Sequence, residues 1–148
     1  MSEEKIVREI RINPITPSES VLVASERGLR PQQEEERIPH DSRAHVETCP
    51  FCKGNEDKTP PTITALPDEE NWEVRVVHNL FPVLGTESDQ KNISFGMQQV
   101  MDGYGHHEVI IDHHNHGMEV YEMSLEHLEM LISVYRSRME ELFDSDER

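Results

Sequence analysis

The chain has 148 residues, enough for one domain with a real core. Only 34 % of them are hydrophobic and 5 % aromatic against 30 % charged, so that core is expected in a few segments. A formal charge of −16 argues against a nucleic-acid partner, which needs Lys and Arg to displace phosphate counterions. No apolar run approaches the roughly 20 residues of a membrane span, and the N-terminus lacks a signal-peptide core, so the expected address is cytoplasmic with no membrane partner.

Residues 5–13 alternate weakly and read as an entry strand. The run SVLVAS at 20–25 is apolar between polar flanks, a second strand. Residues 26–48 carry Gly28, Pro31 and Pro39 and read as a long loop, with Glu34-Glu35-Glu36 solvated. Residues 62–66 form a short strand. In WEVRVVH (72–78), Trp72, Val74 and Val76 alternate against Glu73, Arg75 and Val77, the pattern of a half-buried strand. The stretch 85–103 contains Gly85, Gly96 and Gly103 among polar neighbours and reads as a loop or crossover. Residues 108–111 are a further strand, ending in Asp112-His113-His114-Asn115-His116-Gly117.

Leu125, Leu128, Leu131, Ile132, Tyr135, Met139 and Leu142 recur at helical spacing. One amphipathic helix is therefore expected over 124–143, with Ser124 as N-cap, a Met123–Leu128 staple and an Arg136–Glu140 pair one turn apart. The 144–148 tail reads as loose. These elements predict an α+β fold, an antiparallel sheet with a C-terminal helix packed on it.

Cys49-Pro50-Phe51-Cys52 holds both cysteines of the chain. Two thiols at this spacing on a Pro/Gly-rich turn chelate one tetrahedral ion, and Zn²⁺ suits thiolate best. Gly54 is expected to let backbone N–H groups turn towards sulfur. A redox pair would want a helix N-terminus, and no helix is expected in KGNEDKTPP, so a redox role or a plain turn are the lesser readings. A thiolate pair is half a structural site, and five of the nine histidines lie in residues 105–117. His114-Asn115-His116 is turn chemistry and not a nucleophile. Arg27 and Arg30 flank Gly28-Leu29, an arrangement fit to grip a phosphate or simply to be solvated. His78-Asn79-Leu80-Phe81-Pro82 is either a base or ribose pocket or a core corner.

Together, SERGLRP (25–31), CPFCKGNEDKTPP (49–61), WEVRVVHNLFPVL (72–84), HEVIIDHHNHG (107–117) and SLEHLEMLISVYRSRMEEL (124–142) resemble the N-terminal half of the galactose-1-phosphate uridylyltransferase family. That family lies within the histidine-triad superfamily and includes the ADP-glucose phosphorylases. The resemblance implies a histidine-triad-like sheet and a zinc site of Cys49, Cys52 and His116, with His113 and His114 as competitors for the third place. It implies that Arg27 and Arg30 serve the phosphates, and that the nucleoside lies against Phe51, Val77, Asn79, Leu80, Phe81 and Val109. The substrates it implies are a nucleoside-diphosphate sugar and a hexose 1-phosphate, as in UDP-glucose-dependent uridylyl transfer of galactose metabolism. Leu80 stands where uridylyltransferases often carry an acidic residue, closer to the adenylyl-specific branch.

In the family a histidine attacks the α-phosphorus, and the nucleotidyl group then passes to a second sugar phosphate. The nucleophile belongs to a His-Pro-His segment in the second half, and no His-Pro-His occurs in this chain. No catalytic residue is therefore expected here, and the alternative reading is a non-catalytic, zinc-stabilised nucleotide-binding module. The expected partner is the half that carries the nucleophile, in an enzyme whose full form is a homodimer.

Overall fold

The computed structural model describes residues 6–31, 40–87 and 91–145; the Glu34–Glu36 run, Pro39 and the last three residues of the chain lie outside them. The fold is α+β, two antiparallel sheets and one C-terminal helix, distributed over two compact units.

The first unit comprises residues 1–34 and 79–107. Strands β1 (Arg8–Ile12), β2 (Ser20–Ala24), β5 (Asn92–Phe95) and β6 (Gln98–Asp102) form one antiparallel sheet in the order β2-β1-β6-β5. The first two strands match the sequence reading. The second two correct it, since 85–103 contains a hairpin and not merely a loop. Phe95 pairs with Gln98 across Gly96-Met97, and Gly96 takes φ +61°. A positive φ at the first residue of a two-residue hairpin loop is natural for glycine. The pattern hid the hairpin because β5 is exposed along its whole length, so no apolar alternation marks it. Residues 25–29, at the start of the expected long loop, coil into a 3-10 turn.

The second unit comprises residues 35–78 and 108–148. Strands β3 (Thr62–Leu66), β4 (Val74–His78) and β7 (Glu108–Ile111) pair antiparallel with β4 in the centre. The expectation of a half-buried β4 is corrected: Val74, Arg75, Val76 and Val77 are all buried. One face packs Val74 and Val76 against Leu131 and Val134 of α1 (Leu125–Ser145). The other packs Val77 with Trp72 and Ile111. Arg75 survives burial because its Nε donates to Thr62 Oγ1 at 2.8 Å and its Nη2 to Thr59 Oγ1 at 2.7 Å. Its guanidinium also lies 5.8 Å from the Trp72 ring centroid.

Ser124 caps α1 as expected, its Oγ accepting the His127 N–H at 3.2 Å. Arg136 and Glu140 pair at 2.7 Å, also as expected. The buried face differs from the expected stripe. It runs His127, Leu131, Val134, Arg138, a 4-3-4 spacing along one side of a helix. Ile132, Tyr135, Met139 and Phe143 are exposed. Arg138 reaches a buried position by a bidentate pair to Glu108, at 2.7 and 2.9 Å. Among the described residues no helix is long and apolar enough to cross a membrane.

Candidate metal centre

The chain before and after the thiols is tied into a knuckle by its own backbone. Cys49 N–H donates to Val46 O at 3.0 Å, and Asn55 N–H to Cys52 O at 3.1 Å. Asn55 is buried, and its Nδ2 donates to Val46 O at 3.1 Å and Cys49 O at 2.7 Å. Gly54 holds φ +93°, a conformation that costs side-chain-bearing residues strain. Its N–H turns to both carboxylate oxygens of Glu56 at 3.0 Å and not to sulfur. The amide facing sulfur is that of Val46, 3.4 Å from Cys52 Sγ. Glu56 also accepts the Trp72 indole N–H at 2.7 Å, anchoring the knuckle to the core. Residues 56–58 form a single 3-10 turn, where the sequence indicated no helix.

His116 arrives from the turn after β7. His116 N–H donates to Ala44 O at 2.9 Å, and His40 Nε2 lies 3.1 Å from Gly117 O. Those contacts hold the turn against residues 40–44. His116 Nδ1 comes to 3.4 Å from Cys52 Sγ. One ligand atom each from Cys49, Cys52 and His116 lies within 4.8 Å of the others, so these three residues can hold a metal ion. The donor set fits a soft-to-borderline divalent ion: two thiols and an imidazole, leaving a fourth tetrahedral position. Behind it, Asp41 Oδ2 stands 3.6 Å from His116 Nε2, the carboxylate–histidine arrangement that orients ligating imidazoles. The Arg43 guanidinium holds the Asp41 carboxyl well below the usual carboxylate range, so it stays ionised. Burial pushes the Cys52 thiol up, opposed by the Val46 N–H. A bound cation reverses that balance by favouring thiolate.

A cavity of about 300 Å³ opens beside the cluster, lined by Cys49, Phe51, Val109, His113, Asn115 and His116 among others. Phe51 and Val109 thus sit at the cavity. Val77, the register partner of Val109, is buried in the core instead. In the first unit, Arg27 donates to Phe81 O at 3.2 Å, and Arg30 and Leu80 are exposed. Asn79 Oδ1 accepts the Phe81 N–H at 2.8 Å, and its Nδ2 lies 3.2 Å from His107 Nε2. His107 was not singled out from sequence. Its Nδ1 accepts the Val83 N–H at 3.1 Å, and burial, then the Arg27 charge, lower its pKa and keep it neutral. Asp41, Asn55 and Glu56 were also missed. Asn55 and Glu56 lie inside the quoted CPFCKGNEDKTPP run, where a Gly-Asn-Glu turn signal was available. Nothing local marks Asp41.

No model of a known protein family matches the chain. Among curated proteins, the ADP-glucose phosphorylase of Arabidopsis thaliana is 26 % identical over 141 residues, covering 93 % of this chain and 40 % of the relative. Among solved structures, a GALT-like protein of Arabidopsis thaliana is 26 % identical with a TM-score of 0.57, covering 71 % of this chain and 33 % of that one. The Arabidopsis thaliana ADP-glucose phosphorylase with bound ADP-glucose is 24 % identical, TM-score 0.55, over 94 % of this chain and 39 % of that one. A uridylyltransferase shares the fold at 19 % identity and TM-score 0.58, over 93 % of this chain and 36 % of that one. The chain therefore spans less than half the length of the relatives it matches. Sequence and fold point one way: the chain is similar in sequence to an ADP-glucose phosphorylase and a GALT-like protein and shares its fold with a uridylyltransferase, in keeping with the family its motifs resemble.

Proposed function

We propose that this chain is the zinc-binding part of a nucleotidyltransferase acting on nucleoside-diphosphate hexoses. The observation that carries the reading is the convergence of Cys49, Cys52 and His116 where the resemblance expects a metal. Zn²⁺ would be structural, cross-linking the cysteine knuckle to the turn after β7. Cys49, Cys52 and His116 would hold it, with Asp41 fixing the imidazole.

The sequence relative favours the adenylyl branch, with ADP-glucose as the first substrate to test, over the UDP-glucose-type uridylyl transfer of galactose metabolism. Leu80 agrees with that choice. Arg27 and Arg30 are proposed to neutralise phosphate charge, and Asn79, Leu80 and Phe81 to meet the nucleoside. Phe51 and Val109 would offer apolar surface at the cavity, with Val77 supporting Val109 from the core. The nucleophilic histidine would come from polypeptide outside this chain, since covalent transfer needs one and no His-Pro-His is present.

The test has two arms. The 148-residue protein is loaded with Co²⁺, whose thiolate charge-transfer band reports sulfur ligation, beside Cys52→Ser and His116→Ala. The band is expected in the parent, absent in Cys52→Ser and lost or much weakened in His116→Ala; an unchanged His116→Ala spectrum breaks the ligand set. Calorimetry with ADP-glucose and UDP-glucose then reads the base, tighter ADP-glucose binding being expected. Detectable nucleotidyl transfer by the chain alone overturns the missing-nucleophile reading.

A further inference from the structure

A second group of metal-ligating side chains stands apart from the cysteine knuckle. Glu73 leads into β4, His113 and His114 follow β7, and His127 lies in the first turn of α1. Ligand atoms of Glu73, His113 and His114 lie within 4.8 Å of one another. Glu73 Oε2 is 3.3 Å from His127 Nδ1 and 3.9 Å from His114 Nδ1. Ligands at about 2.0–2.2 Å from a tetrahedral ion stand roughly 3.3–3.6 Å apart from one another, so the group has to draw in to enclose one.

The polar contacts point the same way. His127 Nε2 is 2.7 Å from Asp112 O, and a carbonyl only accepts, so Nε2 carries the proton. His127 Nδ1 faces the Glu73 carboxylate at 3.3 Å, a contact that needs a proton or another cation between the two atoms. His114 Nδ1 is buried and has no hydrogen-bond partner, which is costly for a polar atom. One proton on His127 would satisfy its own contact and leave His114 orphaned. A metal ion satisfies the His114 nitrogen and the carboxylate together.

We propose that Glu73, His113 and His114 form a second, thiolate-free site for a divalent transition-metal ion of the imidazole-binding kind, Zn²⁺ or Co²⁺, with His127 at its edge. His127, held to Asp112 O through Nε2, stands beside Glu73 and orients its carboxylate. His113 Nδ1 accepts the Asn115 N–H at 2.9 Å, which leaves Nε2 as its ligand atom; its ring stacks on His114 with centroids 4.5 Å apart and tilts against His127 at the same distance. An ion here would pin the entrance of β4 to the turn after β7, and it is independent of the transferase reading.

The experiment is a Co²⁺ titration of the 148-residue protein, following d–d absorption and the thiolate charge-transfer band separately. Two equivalents are expected, of which only one carries the thiolate band. Glu73→Gln and His114→Gln, at side chains solvent partly reaches, should each lose the band-free equivalent and keep the other. Cys52→Ser should do the reverse. If Cys52→Ser fails to fold, the two conservative variants still decide the matter in the parent background. A single equivalent in the parent, or a second one that survives both Glu73→Gln and His114→Gln, overturns the site and leaves a protonated His127–Glu73 pair.

Discussion

The two units reach order by different means. In the second unit Trp72, Val74, Val76, Val77, Ile111, Leu131 and Val134 are all buried, and a central strand is covered on both faces. In the first, Gly103 is the one buried residue among those described, and Val21, Leu22, Ile93, Phe95 and Met97 are exposed. Its order rests on strand ladders and on Arg8, which joins Glu26 at 2.5 Å and Glu87 at 2.9 Å. Burying an aliphatic side chain contributes about 1.5–3 kcal/mol, whereas an ion pair that solvent partly reaches contributes about 1–2. The unit with the metal cluster is therefore the one with its own apolar core, and rigid support is what closely placed ligands require.

Aromatic truncation should give the largest contrast. Trp72→Ala removes a buried indole and its bond to Glu56, and should cost about 3–5 kcal/mol by chemical denaturation. Phe95→Ala in the exposed β5 should stay within about 0.5 kcal/mol. Equal losses at the two positions would erase the distinction between the units.

Ion pairs should rank the same way. Arg138→Ala strands Glu108, whose side chain is 8 % exposed, and should cost about 3–5 kcal/mol. Arg8→Ala, at a pair solvent partly reaches, should cost about 1–2 kcal/mol. Raising salt should weaken the Arg8 effect more than the Arg138 effect, which denaturation at two ionic strengths measures.

Much of this was legible in the chain and some was not, for physical reasons. β3, β4, β7 and α1 announced themselves because apolar residues alternate or recur with the element's period. The CPFC turn came from motif chemistry and His116 from the family resemblance, and the structure brings them together. The β5–β6 hairpin was invisible because an exposed strand has no apolar face to pattern. The helix was found but its buried face was not, because His127 and Arg138 reach buried positions through partners, Asp112 and Glu108, that lie far off in sequence. Asp41 and Glu73 likewise gain their roles only through contacts across long sequence separations.

Metal affinity offers a finer probe. Asp41→Asn keeps the shape beside His116 and removes the charge, so the thiolate site should bind Co²⁺ about 10–100-fold more weakly. Unchanged affinity would show that the knuckle alone orients His116.

Acid should loosen the second unit through Glu56. Burial raises its pKa, but the Gly54 N–H, the Trp72 indole and the Arg75 charge outweigh burial and leave it below the ordinary 4.5. A depressed folded pKa means that the unfolded chain takes up the proton first. Glu56 thus adds stability above about pH 4.5, the ordinary glutamate value, and that stability drains away as pH falls through the lower folded value. Glu56→Gln should therefore cost about 1 kcal/mol at neutral pH, a modest figure because solvent reaches the carboxylate. The gap between the variant and its parent should close as the solution is acidified. Other depressed carboxylates, Asp68 and Glu87 among them, lower both proteins alike, so the difference isolates Glu56. A gap that stays constant from neutral pH down to the acid transition would mean that the Trp72 bond works through shape alone, and that the charge on Glu56 does not hold the knuckle to the core.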